Sequence, residues 1–127
     1  MTLVIDASAV ADLLLREEDS AALIGAIQGH DLVAPEMLVA ETLSVIRGWT
    51  RSGAISTERA RGALDDFSHG DIELFGLAPL LPRAFELRDR VSAYDAMYVA
   101  LAEHLGCALL TRDARLARAV PELAVYC

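Results

Sequence analysis

The sequence predicts an α/β fold: three layers, helix, sheet and helix, around a parallel sheet of about five strands. Three observations lead there. Short apolar runs alternate with longer segments whose apolar residues recur every three or four positions. The runs are apolar at successive residues, as strands covered on both faces are. No linker, internal repeat or low-complexity tract interrupts the alternation, so residues 1–127 read as a single domain.

Residues 2–6 form the first expected strand, and Ser8 the N-cap of a helix from Ala9 to about Arg16. A second helix, roughly Asp19 to Gln28, carries Leu23, Ile24 and Ile27 at helical spacing and stops before Gly29. LVAP (32–35) is the second strand. Pro35 then opens a long helix to about Arg51, with Leu38, Thr42, Val45, Ile46 and Trp49 facing inward and Gly53 ending it. Ser56 caps the next helix, which has Glu58 in its first turn and runs to about Ser68. IELFGL (72–77) is the third strand, and Pro82 to Val91 is helical. Ser92 opens a helix to Leu105, with Gly106 in the C-cap position. CALLT (107–111) is the fourth strand, Ala114 to Ala119 a short helix, and LAVY (123–126) the last strand.

Charge narrows the function. The chain holds 11 arginines, no lysine and 19 acids, a net charge of −8. Such a protein repels polyanions at long range, so any nucleic acid must be met locally, through a divalent cation or clustered arginine. The absence of lysine excludes Schiff-base enzymes, Walker-type phosphate loops and phospho-acceptor receivers. No apolar run approaches the ~20 residues that span a bilayer, and the N-terminal run is broken by an acid. No signal peptide is expected, Cys107 and Cys127 read as free thiols, and the location as cytoplasmic.

Four acids stand in core-like surroundings. Asp6 follows a buried strand, and Asp113 follows another. Glu41 lies on the apolar stripe of its helix between Leu38 and Val45, and Asp95 sits among Tyr94, Met97, Tyr98 and Val99. Each has a structural alternative. Asp6 and Asp113 suit helix caps or turns, Asp95 completes a capping box with Ser92, and Glu41 can pair with an arginine. Parallel sheets bind ligands beyond the carboxyl ends of their strands, where Asp6 and Thr111–Asp113 fall. Were the four to meet, their repulsion would demand cations, and oxygen-only ligands select Mg²⁺ or Mn²⁺ over zinc.

The stretches VIDASA, PEMLVAE, YDAMYVALAE and LLTRDARL, in that order, resemble the signature of PIN domains, and most of all the VapC toxins of toxin–antitoxin pairs. The resemblance spans essentially the whole chain. It implies a PIN-like parallel sheet of five strands between helices, and an acidic quartet at Asp6, Glu41, Asp95 and Asp113 that is both catalytic and metal-binding. Ser8 and Thr111 would orient carboxylates or waters without binding metal directly. The implied reaction is Mg²⁺- or Mn²⁺-dependent endonucleolytic hydrolysis of RNA by activated water, leaving 5′-phosphate and 3′-hydroxyl ends. Arg112 and Arg115 are candidates for gripping flanking phosphates, with Arg118 a third. The implied partners are a cognate VapB-type antitoxin, whose arginine would enter the acidic site, and a second copy in a homodimer. The apolar helix 37–49, with Trp49, and the segment Phe67 to Phe85 are candidate interfaces.

Two readings compete with this one. A non-catalytic PIN-like module would use the same acids to bind an antitoxin arginine or a structural cation. An aspartate-based phosphotransferase would need a lysine, and a DxD motif where this chain has DAS.

Overall fold

The computed structural model describes residues 1–15 and 20–127. Five strands, β1 (Thr2–Ile5), β2 (Asp31–Pro35), β3 (Ile72–Phe75), β4 (Ala108–Thr111) and β5 (Ala124–Tyr126), form one sheet in the order β3-β2-β1-β4-β5. Every pairing is parallel, with Val4 opposite both Val33 and Leu109. The helices are α1 (Ala7–Leu15), α2 (Ala21–Ile27), α3 (Leu38–Arg51), α4 (Thr57–Ser68), α5 (Leu81–Glu86), α6 (Ala93–Leu105) and α7 (Ala114–Ala119). A 3₁₀ turn at Ala78–Leu80 precedes α5.

Right-handed crossovers place α1–α4 on one face and α5–α7 on the other. The packing agrees: α1 lies against α3 and α4, and α6 against α5, β1, β2 and β4. Val4, Ile5, Leu109 and Leu110 in the two central strands are fully buried, which is why these strands carry no polar residue before their ends. A smaller apolar cluster joins α1, α3 and α4 through Leu15, Ile46, Ala60 and Ala63, with Trp49 against it.

The chain turns back after β3 to place β4 on the far side of β1. The β1/β4 junction is therefore the point where strand order reverses, and loops diverge there at the carboxyl edge. Because the helices run antiparallel to the strands, α1, α3, α6 and α7 all begin at that edge. Their first residues carry the four acids.

Several expected boundaries move. The first helix begins at Ala7, not Ala9, and its cap is Asp6: Ala9 N–H donates to Asp6 Oδ1 (3.0 Å) and Val10 N–H to the Asp6 carbonyl (3.1 Å). Ser8 therefore lies within the first turn, its hydroxyl drawn to long-range partners. The ends expected at Arg16 and Asp19 lie outside the described residues. Pro35 closes β2 instead of opening α3, which starts at Leu38 after a turn held by Glu36 N–H to the Phe75 carbonyl (2.9 Å). β3 stops at Phe75, and α5 ends at Glu86 in a run of turns through Arg90. Within the two candidate interface segments, Trp49 and Phe67 are partly buried against the core, while Val39, Leu43 and Phe85 are exposed. Among the described residues no helix is long and apolar enough to cross a membrane, and both cysteines are free.

Candidate active site

Asp6 is the most constrained of the four acids. Its N–H still belongs to the sheet, donating to the Leu110 carbonyl (3.2 Å), so strand geometry fixes where the side chain emerges. The Ser8 hydroxyl donates to Asp6 Oδ1 (2.6 Å), and the Thr111 hydroxyl donates to Asp6 Oδ2. Each hydroxyl also accepts a backbone N–H from the loop after β4: Arg112 N–H to Ser8 Oγ (3.0 Å) and Asp113 N–H to Thr111 Oγ1 (2.9 Å). With those lone pairs occupied, each hydroxyl proton is directed at Asp6. Two relays thus tie the end of β1 to the loop that carries Asp113.

Glu41 stands in the first turn of α3, half-buried. Its partner is not an arginine but Tyr98, whose hydroxyl donates to Glu41 Oε1 (2.8 Å) from the buried face of α6. Asp95 lies in the first turn of α6, where Ser92 Oγ accepts its N–H (3.3 Å). Asp113 caps α7, with Oδ1 accepting from Arg115 N–H (2.9 Å) and Leu116 N–H (3.3 Å). The structural roles of Asp6, Asp95 and Asp113 are therefore real, and they fix carboxylates at one edge without exhausting their oxygens.

Electrostatics link the group. Burial pushes the Asp6 carboxyl above the ordinary range, against the hydrogen bonds from Ser8, Thr111 and Ala9, and the nearby Asp95 charge adds to the rise. Glu41 is raised by burial and by Asp95 and Asp6, with the Tyr98 hydrogen bond opposing. Asp95 is raised by burial and by Asp113, while hydrogen bonding with Ser92 and the charge of Arg115 lower it. The Tyr98 phenol is driven far upward by burial and by the Glu41 hydrogen bond, so it stays a donor. No arginine among the described residues forms an ion pair with Asp6, Glu41 or Asp95.

Among the described residues the positive charge beside this set is that of Arg115, which acts on Asp113 and Asp95. No three acidic, histidine or cysteine side chains among the described residues form a group that would hold an ion unaided. The described side chains therefore form no closed protein cage for an ion. The oxygen-only donors and their mutual repulsion fit a hard divalent ion such as Mg²⁺.

The two arginines nominated for phosphate differ in setting. Arg112 Nε is paired with Asp12 Oδ2 at 3.1 Å, both side chains largely buried, so Arg112 clamps the loop after β4 onto α1. Arg115 is exposed, its Nη2 3.9 Å from Asp113 Oδ2.

Comparison with known proteins fits this geometry. The PIN domain family matches residues 3–120. "Ribonuclease VapC3" of Mycobacterium tuberculosis is 40% identical over 119 residues, covering 93% of this chain and 87% of the relative. The chain belongs to the VapC family of PIN-domain proteins. Solved structures share the fold of this VapC-family chain at low identity. VapBC2 from Rickettsia felis, bound to a DNA fragment from the promoter, gives a TM-score of 0.71 at 15% identity, covering 99% of this chain and 98% of that one. A toxin–antitoxin complex from Klebsiella pneumoniae gives 0.63 at 17% identity, covering 97% and 95%.

The raised carboxyls of this VapC-family protein have a testable consequence. Asp95 has a folded-state pKa above its unfolded value near 3.8, so the stability it contributes is present at low pH and lost as pH rises through the folded value. Asp95→Asn removes that loss. Thermal melts in EDTA should show the variant and wild type together near pH 4, and the variant increasingly the more stable toward pH 7. A gap that shrinks with rising pH would contradict the electrostatic reading.

Proposed function

We propose that this protein is the toxin of a toxin–antitoxin pair and cuts RNA hydrolytically at the cluster of Asp6, Glu41, Asp95 and Asp113, with Mg²⁺ or Mn²⁺. One observation carries the reading. Both oxygens of Asp6 are held by hydroxyls that the Asp113 loop in turn anchors, at the strand-order reversal, and no arginine among the described residues forms an ion pair with Asp6, Glu41 or Asp95. Family membership supports it, since the similar mycobacterial protein is named a ribonuclease.

Asp6, Glu41, Asp95 and Asp113 are the residues that would hold the cation, which when bound supplies positive charge for the scissile phosphate and acidifies water. The chain's own groups do the remaining work. The Ser8 and Thr111 hydroxyls keep Asp6 aimed along one direction, so little reorganisation is needed when substrate arrives. Tyr98 holds Glu41 by Oε1 and leaves Oε2 without a protein partner among the described residues. With its raised pKa, Glu41 Oε2 is suited to take the proton of an attacking water. In-line attack on phosphorus expels the 3′ oxygen, which gains a proton, and leaves a 5′-phosphate.

The same uncompensated carboxylates suit an arginine from an antitoxin, which would replace the cation's charge. A homodimer is part of the proposal, with the exposed Val39 and Leu43 one turn apart on α3 as apolar surface. The non-catalytic reading draws on one observation, the lack of a closed metal-holding group among the described residues. Incubation of purified protein with total RNA separates the two. The nuclease reading expects discrete cleavage with Mg²⁺ or Mn²⁺ and none in EDTA; intact RNA under both conditions favours the binding module.

A further inference from the structure

Next to the acidic cluster, and sharing Asp95 with it, lies a cleft of about 250 Å³. Its wall residues include Arg88, Asp89 and Arg90 from the segment joining α5 to α6, Asp95 from α6, and Arg115 from α7. Three of the chain's 11 arginines line this one cleft, together with two of its 19 acids. Arg90 is structural, its Nη2 donating to the Ala119 carbonyl and to Glu122 Oε1, both at 2.8 Å, which fastens the end of α7 to the cleft wall. Arg88 and Arg115 are differently placed. Arg88 Nη1 donates to the Phe85 carbonyl (3.1 Å) and its guanidinium carbon lies 4.4 Å from the centre of the Phe85 ring, yet no carboxylate among the described residues pairs with it. The Arg115 side chain is 80% exposed, with Asp113 at 3.9 Å and its charge acting also on Asp95.

We propose that this cleft holds the sugar–phosphate backbone of a single-stranded RNA segment flanking the bond cut at the acidic cluster, with Arg88 and Arg115 gripping neighbouring phosphates. The proposal rests on the nuclease reading above and adds where its substrate lies. A net charge of −8 repels RNA at a distance, so affinity must come from arginines met locally, and this cleft brings Arg88 and Arg115 together beside Asp95. Guanidinium groups bind phosphate oxygens two at a time, and stacking on Phe85 pre-orients the Arg88 fork. A small cleft admits one backbone rather than an A-form duplex, whose phosphates flank wide grooves. Phe85 and Tyr94, 66% and 64% exposed on the adjoining helices, offer ring faces to unpaired bases. Because Asp95 belongs to both sites, a backbone in the cleft leads directly to the acids.

The test is RNA binding and cleavage by the double variant Arg88→Gln/Arg115→Gln, with Arg61→Gln on the outer surface of α4 as the control. Binding is read by anisotropy of a labelled single-stranded RNA in the Asp6→Asn background, which prevents cutting. The double variant should bind roughly 10- to 30-fold more weakly, with a salt dependence shallower by about one to two ions. With Asp6 unchanged, the double variant's KM should rise while kcat changes little, and Arg61→Gln should match wild type. Unchanged affinity and salt slope would overturn the proposal, as would equal weakening by Arg61→Gln, which would mean bulk charge alone. Loss of binding to a labelled polyglutamate peptide, with RNA affinity intact, would assign the cleft to an acidic protein partner. If the wild-type chain cleaves RNA and the double variant is unimpaired, only this inference fails. If the wild type neither binds nor cleaves RNA, the nuclease reading falls with it.

Discussion

Asp6→Asn is expected to lower RNA cleavage by roughly 10³-fold or more, about 4 kcal/mol of transition-state stabilisation, while the protein still melts cooperatively. The substitution preserves shape and removes a negative charge that, on the proposed reading, would hold the cation. It also replaces one acceptor with a donor. Ser8 Oγ and Thr111 Oγ1 both donate to Asp6, so one of the two must turn its proton away to accept from the new amide. The Asn side chain therefore offers one acceptor oxygen where the carboxylate offered two to these donors. Rates on one defined RNA, with circular dichroism melts in parallel, check both halves. A variant retaining a tenth of wild-type activity would remove Asp6 from the catalytic set.

Ile5→Ala should destabilise the protein by about 3 kcal/mol, on the scale of buried large-to-alanine truncations. Ile5 is fully buried at the end of β1, paired in register with Leu110 of β4. For a chain of this length the loss corresponds to a fall in Tm of roughly 10 °C. Because the next residue is Asp6, the cavity also loosens the carboxylate, and cleavage at a temperature where the variant remains folded should fall as well. Ile5→Val, losing one methyl, should cost about 1 kcal/mol and leave cleavage near wild type. Chemical denaturation and rates measured on the same samples separate the two effects.

Local patterns were readable where local physics decides. The stripe Leu38, Thr42, Ile46 is buried as its spacing implies. Ser56 and Ser92 cap their helices through the N–H groups of Arg59 and Asp95, and Gly106 takes the left-handed conformation (φ 64°) that ends α6. The alternation of strand and helix gave a parallel sheet with Asp6 and Asp113 at its carboxyl edge, which follows from strand direction alone. What stayed hidden depends on residues far apart in the chain. Ser8 looked like a cap because a small hydroxyl before an apolar run usually is one, but its partners include the Arg112 amide, 104 positions away. The Glu41–Tyr98 bond joins helices 57 residues apart, and Tyr98 read as an ordinary core aromatic. Arg112 looked like a phosphate ligand beside Asp113, yet Asp12, one helical turn beyond Ser8, claims its guanidinium. The cleft of Arg88 and Arg115 exists only because β4 crosses to the far side of β1 and brings α7 beside the segment before α6.

The central claim is that these carboxylates cut RNA hydrolytically with a divalent cation, and the chemistry of the ends tests it most directly. RNA fragments from wild-type cleavage in Mg²⁺ or Mn²⁺ should carry 5′-phosphates and 3′-hydroxyls, ligating without prior phosphorylation and extending with a polymerase that needs a free 3′-hydroxyl. EDTA should abolish the fragments, and Asp6→Asn should fail to produce them. Fragments ending in 2′,3′-cyclic phosphate, formed equally well in EDTA, would contradict the account.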